Sequence, residues 1–278
     1  MGTSTGPGAE PTVAEASPAR WYAWLLYLVT YGKARLAAVG VTLGLGLVLA
    51  MLALYVFAVL ANSVMADETE IVDFAVLAAL REVQSPGLNH LALFFSLLGS
   101  EVLAVLMVGL LILFGRKRRW GSVVSLLLVV VGAQMLNNVL KDWFHRTRPA
   151  PVEGLIPAQA FSFPSGHAMV AAAFYLFIGY LAWRLLKGRT RIICAALLVV
   201  IALLIGLSRL YLGVHYLTDV VAGYTAGIAW TDAVIVGGHL LARRRLARAG
   251  APPPPALTAP SDAAALPPSL RPEPTSSA

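Results

Sequence analysis

Residues 192–219 read IICAALLVVIALLIGLSRLYLGVHYLTD. Residues 192–211 are apolar almost throughout, and about 20 such residues cross a bilayer's hydrocarbon core. A second apolar run, 217–242, begins a few residues later. The stretch therefore predicts two membrane-spanning helices joined by a short polar junction, and an all-α membrane protein. The junction holds Arg209, His215 and Asp219. His215 and Asp219 are four apart, a spacing that puts two side chains one turn apart on a helical face. A carboxylate so placed holds one imidazole nitrogen and leaves the other for a substrate. With the fixed charge of Arg209, the group suits nucleophilic attack on an anion. Taken alone, the same residues equally suit the solvated end of an interfacial helix.

The rest of the 278-residue chain agrees with the membrane reading. It is 58% hydrophobic and only 13% charged, against about 25% charged in soluble domains. The net charge of +7 does not imply nucleic acid, because the basic residues sit in short runs beside apolar segments. One cysteine, Cys194 in an apolar run, excludes a disulfide framework and a thiolate metal site. Six spans are predicted, near 36–62, 89–115, 120–143, 166–186, 192–211 and 217–242. Together they form a six-transmembrane-helix bundle with short interfacial helices. Gly40 and Gly44 in the first span have GxxxG spacing, though a Gly-rich span produces that by chance. Residues 67–84 carry five acids among apolar residues at helical spacing, which predicts an amphipathic surface helix ended by Pro86-Gly87. Trp21, Tyr22, Trp24, Tyr27 and Tyr31 predict an interfacial helix over 21–34. Residues 1–20 and 249–278 have the composition of disordered tails, which leaves 35–248 as the membrane domain.

Two further stretches carry chemistry. In Lys141-Asp142-Trp143-Phe144-His145-Arg146-Thr147-Arg148-Pro149, Lys141 and Arg148 are seven apart. On a continuous helix that is two turns, so both cations face one point. Arg146 reads either as a headgroup contact or as a solvated charge. In Phe163-Pro164-Ser165-Gly166-His167, Pro and Gly bracket a Ser at the start of the fourth span. The exposed N–H groups of a helix start suit an anion; Ser165 adds a hydroxyl and His167 a titratable proton. Because successive spans alternate direction, all three stretches fall at the same end of the bundle and converge on one anionic centre. Asn137 and Asn138 read as interhelical hydrogen-bond formers, and Asp232 inside the sixth span as a buried hydrogen-bonding acid. His145 reads as facing the membrane interface, His90 and His239 form no metal-ligand spacing, and no metal site or cofactor is expected.

These residues resemble a known family. Lys141 to Arg148-Pro149 matches KxxxxxxRP, Pro164 to His167 matches PSGH, and Ser208-Arg209 through His215 to Asp219 matches SRxxxxxHxxxD. The order and spacing resemble the type-2 phosphatidic acid phosphatases, especially bacterial phosphatidylglycerophosphatases and undecaprenyl pyrophosphate phosphatases, over about residues 35–245. Leu217, where many members have Pro, is a departure that touches no catalytic position. The resemblance implies a membrane hydrolase acting on a lipid phosphate or diphosphate. His215 is then the nucleophile, Asp219 its orienting partner and His167 the acid–base. Lys141, Arg148, Ser165, Gly166 and Arg209 bind the phosphoryl oxygens. It implies a lipid phosphate substrate in the bilayer, no metal, no nucleic acid and no obligate protein partner. A phosphotransferase on the same scaffold fits the motifs equally. A vanadate haloperoxidase fits the anion pocket but not six spans, and a non-catalytic lipid binder would lack a catalytic His or Arg. Charge placement puts both termini in the cytoplasm and the site on the extracytoplasmic face of a cell membrane.

Overall fold

The computed structural model describes residues 44–149 and 161–248. The expected interfacial helix at 21–34, Gly40 and both tails lie outside the described residues. Within them the chain is α-helical, with no strand: α1 (Gly44–Met65), α2 (Glu70–Glu82), α3 (Pro86–Leu98), α4 (Glu101–Arg116), α5 (Trp120–Phe144), α6 (Gly166–Leu185), α7 (Gly188–Tyr211) and α8 (Leu217–Arg248). Six segments are long and apolar enough to cross a membrane: α1, α3 with α4, α5, α6, α7 and α8 through Ala242. The six-span, all-α expectation therefore holds, and the chain is a multi-pass membrane protein.

The bundle is organised around α6. More than half of its apolar window (56%) is buried inside the protein, against 11% for α1. Its first half is small: Ala168, Ala171, Ala172 and Ala173 are buried, and α5, α7 and α8 close around them. Small residues let backbones approach where lipid supplies no hydrophobic drive between helices. The closest approach is with α8. A Cβ at Gly223 would lie 2.6 Å from Ser165 O, and one at Gly227 would lie 2.4 Å from Met169 O. The functional GxxxG pair is thus Gly223–Gly227, whereas Gly44 faces open space. Leu126, Val129, Met169, Phe174 and Ile205 fill the core, while Val105, Ile112, Val139, Leu197 and Leu203 are exposed, as lipid-facing residues are.

Four local expectations are corrected. The second span is not one helix: it breaks at Gly99-Ser100, between α3 and α4. Gly-Ser pairs are a usual site of helix breaks, and here the break is packed in, because a Cβ at Gly99 would lie 2.5 Å from Ile205 Cγ2 and 3.3 Å from His167 Cδ2. Pro86 does not end α2 but opens α3 at its first turn, behind the capping hydroxyl of Ser85, which accepts from Leu88 N at 3.4 Å. Asn137 does hydrogen-bond away from its own helix, donating to Pro164 O at 3.1 Å. Asn138 instead accepts from Gln134 one turn back on α5. Asp232 lies against Gly46, and no hydrogen bond reaches it among the described residues.

Candidate active site

The chain reversal between α7 and α8 builds the centre of the site. α7 ends at Tyr211, and Gly213 takes φ +67°, a conformation glycine adopts without steric cost. Gly213 N donates to Leu210 O (2.9 Å) and Val214 N to Arg209 O (3.2 Å). This pair of bonds is a Schellman closure, and it delivers His215 into the protein, 1% exposed, before α8 begins at Leu217. His215 and Asp219 therefore do not share a helical face as their spacing predicts. Asp219 sits in the first turn of α8 and folds back over the helix start: its Oδ2 accepts from Tyr216 N at 2.9 Å and lies 3.4 Å from His215 Nδ1. The first bond is the carboxylate half of a capping box; the second is the expected imidazole contact, reached by another route.

The tautomer of His215 follows from its other neighbour. Arg148 Nη1 lies 3.2 Å from His215 Nε2. A guanidinium only donates, so Nε2 accepts, and Nδ1 carries the proton that Asp219 receives. Burial pushes the imidazole down to about 4; the Asp219 bond and charge oppose this, and the charges of Arg148 and Arg209 add to it. At neutral pH His215 is a neutral base with its lone pair on Nε2.

Arg148 does not reach this point along a helix. α5 stops at Phe144, His145 turns left-handed at φ 50°, and residues 145–149 run without helix. Arg148 is then held by Phe161 O (3.1 Å) and Val214 O (3.0 Å). Burial pulls its guanidinium below the usual value, partly offset by Asp219. Lys141, still on α5, is within electrostatic range of Arg148, Asp219 and Arg209. Arg209 is 3% exposed and donates from Nη1 to Ser96 Oγ of α3 at 2.6 Å. His167 lies in the first turn of α6, within range of Arg209, His215, Lys141 and Arg148. All eight residues expected from sequence are thus brought to one place.

Two buried polar atoms there have no partner among the described residues: Ser165 Oγ and Arg209 Nε. Ser165 is the N-cap of α6, yet its hydroxyl caps nothing. Its backbone N–H is used by Asp219 O at 2.9 Å. Gly166 is packed against Asn137, whose Oδ1 would lie 2.9 Å from an added Cβ. An uncompensated buried donor costs about 1–3 kcal/mol, so both atoms are open to a bound acceptor.

The sequence reading missed Arg146 and Asp73. Arg146 is half-buried, and its terminal nitrogens go to carboxylates and not to the anion site. It bridges Asp73 Oδ2 and Asp219 Oδ1, each at 2.8 Å. Burial acts to lower its pKa, but the charges and hydrogen bonds of Asp219 and Asp73 outweigh it and the net shift is upward. Asp73 is on α2, 0% exposed. The available signal was an acid in register with Leu77 and Leu80, on the stripe that a surface helix buries. A cavity of about 390 Å³ lies beside this bridge, lined by Met65, Phe74, Phe144, Arg146 and Tyr216 among others. Lys141, Arg148, His167, Arg209 and His215 do not line it.

The PAP2 superfamily profile matches residues 122–239, which contain all three motifs. The chain is 35% identical over 180 residues to phosphatidylglycerophosphatase B of Bacillus subtilis, covering 62% of this chain and 86% of that protein. It is 32% identical over 147 residues to undecaprenyl-diphosphatase of Sulfolobus acidocaldarius, covering 50% of this chain and 66% of that protein. The crystal structure of a transmembrane PAP2-type phosphatidylglycerolphosphate phosphatase from Bacillus subtilis superposes with a TM-score of 0.62 at 33% identity, covering 69% of this chain and 96% of that one.

Proposed function

The chain belongs to the PAP2 superfamily, and from that premise we propose that it hydrolyses a lipid phosphate or diphosphate through a phosphohistidine on His215, without a metal ion. The observation that carries this reading is the pair of partnerless buried donors, Ser165 Oγ and Arg209 Nε, in the site that holds the neutral, Asp-oriented imidazole. A phosphoryl group supplies the missing acceptors.

In this reading His215 Nε2 attacks phosphorus. The P–N bond forms as the P–O bond to the lipid breaks, and His167 protonates the departing oxygen. Asp219 keeps Nδ1–H in place and stabilises the charge that the ring acquires. His167 then takes a proton from a water that attacks phosphorus; the P–N bond breaks, its electron pair returns to His215, and inorganic phosphate leaves. Lys141, Arg148 and Arg209 face the equatorial oxygens, where phosphoryl transfer spreads its charge, together with the Ser165 hydroxyl and the Gly166 N–H. Three cations supply the compensation that Mg²⁺ supplies elsewhere, so EDTA leaves the activity intact.

The relatives' names nominate substrates: phosphatidylglycerophosphate, undecaprenyl diphosphate and, for the superfamily, phosphatidate. The test is phosphate release by the purified chain in detergent from a panel of these, with no added acceptor and with EDTA present. Label from ³²P-substrate should be trapped on wild type as acid-labile, base-stable phosphoenzyme, and should be absent from His215→Ala. Activity that is lost in EDTA and restored by Mg²⁺, or label on another residue, would overturn the mechanism.

A further inference from the structure

We propose that Arg146, itself fixed by Asp73 of α2, is a positioning residue that holds Asp219 and through it His215. The inference rests on the reading of His215 as nucleophile and adds to it a group outside the three motifs' phosphate-binding positions.

The geometry separates Arg146 from the other cations of the site. Both its terminal nitrogens are committed. Nη1 donates to Asp219 Oδ1 (2.8 Å) and Thr218 Oγ1 (2.8 Å); Nη2 donates to Asp73 Oδ2 (2.8 Å) and Thr69 Oγ1 (3.2 Å). The Tyr216 ring covers one face, 4.3 Å from the guanidinium carbon. No terminal nitrogen is left for a phosphoryl oxygen, in contrast to Arg209 with its orphan Nε. What Arg146 does is divide the Asp219 carboxylate: Oδ1 is taken by the guanidinium, so Oδ2 remains for Tyr216 N and His215 Nδ1. Asp219 is 0% exposed, so without Arg146 its Oδ1 is buried with no partner among the described residues, and the carboxylate gains by rotating away from His215.

Asp73 completes the device. Its Oδ1 accepts from Thr218 N at 3.0 Å and its Oδ2 from Thr218 Oγ1 at 2.6 Å, which pins α2 to the first turn of α8. It also balances the guanidinium charge. With Arg146 shared between two carboxylates, Asp219 keeps negative charge to spend on the imidazolium that forms when His215 is phosphorylated. An extramembranous helix that carries no family motif thus becomes part of the catalytic framework.

The experiment compares full-length wild type, Arg146→Gln, Arg146→Lys, Asp73→Asn and Arg148→Gln in detergent, on a lipid phosphate that wild type hydrolyses. Arg146→Gln should lower kcat on the order of 10- to 100-fold with KM within about twofold. Arg146→Lys should recover part of the loss, and Asp73→Asn should follow Arg146→Gln in kind. Arg148→Gln should instead raise KM. The acid limb of kcat/KM should move to lower pH in Arg146→Gln, because the Asp219 bond and charge that hold the His215 value up weaken as the carboxylate turns away. The other charged and titratable groups that act on that ring, Arg148, Arg209 and His167, are unchanged. A rise in KM at constant kcat would make Arg146 a substrate ligand, and unchanged kinetics would remove its role; either overturns the proposal. A readout free of turnover is the ¹⁵N spectrum of the protein's five histidines, assigned with His215→Ala. Wild type should show His215 as the Nδ1–H tautomer, and Arg146→Gln should shift the mixture towards Nε2–H. An unchanged His215 signal overturns the proposal even if the panel of lipids fails and takes the proposed hydrolysis with it.

Discussion

The reactivity proposed for His215 follows from where the backbone leaves it. An exposed histidine titrates near 6.5, and burial brings this one to about 4. Protonation would remove the lone pair of the proposed nucleophile, so the acid limb of kcat/KM, which reports the free enzyme, should lie near pH 4 and not near 6.5. Activity should therefore persist through pH 5–6 and fall below it; a limb near 6.5 in wild type would contradict a buried nucleophile. The same shift has a stability consequence. The unfolded chain takes up this proton near pH 6.5 and the folded one only near 4, so His215's contribution to stability declines as pH drops across that window. His215→Ala should abolish turnover, and Asp219→Asn should cost on the order of 10²-fold or more by analogy with other orienting carboxylates. At this scale most of the site was legible, because Lys141, Arg148, Ser165, His167, Arg209, His215 and Asp219 sit at span ends where an apolar sequence otherwise ends in ordinary flanking charge. Arg146 was not legible: its partner Asp73 lies 73 residues away, and no local pattern announces a contact of that range.

At the scale of elements, the fit of α8 against α6 carries the catalytic register. Gly223 touches the carbonyl of Ser165, whose N–H bonds Asp219 O one turn earlier on α8. Gly223→Ala should drive the PSGH turn off the α8 start, so phosphate release should fall more steeply than thermal stability. Gly227→Ala, one turn further into the bundle against Met169 O, should cost mainly stability, on the order of 1–3 kcal/mol as overpacking does. Gly109→Ala, with nothing within 4 Å, should be neutral in both. Unfolding in detergent and phosphate release separate the three, and equal behaviour of Gly223→Ala and Gly109→Ala would show that α6 and α8 tolerate the added methyl. Periodicity and length revealed these helices to within a few residues. They did not reveal which GxxxG pair meets a neighbour, because in lipid both faces of a helix are apolar and hydropathy does not distinguish a packed glycine from an exposed one. The broken second span escaped for a related reason: Gly99 and Ser100 interrupt the backbone without interrupting the hydropathy. So did the two loops that carry Arg148 and His215, where regular helical spacing gave the right neighbours by the wrong geometry.

At the scale of the whole molecule, charge placement supports a proposal for which way the site faces. In the six-span reading of the sequence, 16 of the 21 Lys and Arg fall on one side: Arg20, Lys33 and Arg35; Arg116, Lys117, Arg118 and Arg119; Arg184, Lys187, Arg189 and Arg191; Arg243, Arg244, Arg245 and Arg248; and Arg271 in the tail. The other end has five, of which Lys141, Arg146, Arg148 and Arg209 belong to the site or to its bridge, leaving Arg81 among the acids of α2. Basic flanks stay in the cytoplasm, so the proposed orientation puts both termini inside and the site at the outer leaflet. On that proposal, the hydrolase would meet carrier lipid diphosphates left after their cargo has been exported. The prediction is checked by single cysteines placed after Cys194→Ala: Glu82→Cys at the end of α2 and Lys117→Cys in the α4–α5 turn, both exposed positions. An impermeant maleimide on intact cells, with any outer membrane permeabilised, should label Glu82→Cys and reach Lys117→Cys only after lysis. The opposite pattern would turn the protein over, move its substrate to the inner leaflet and leave the 16 basic flanks unexplained, since the positive-inside bias would then run backwards across all six spans.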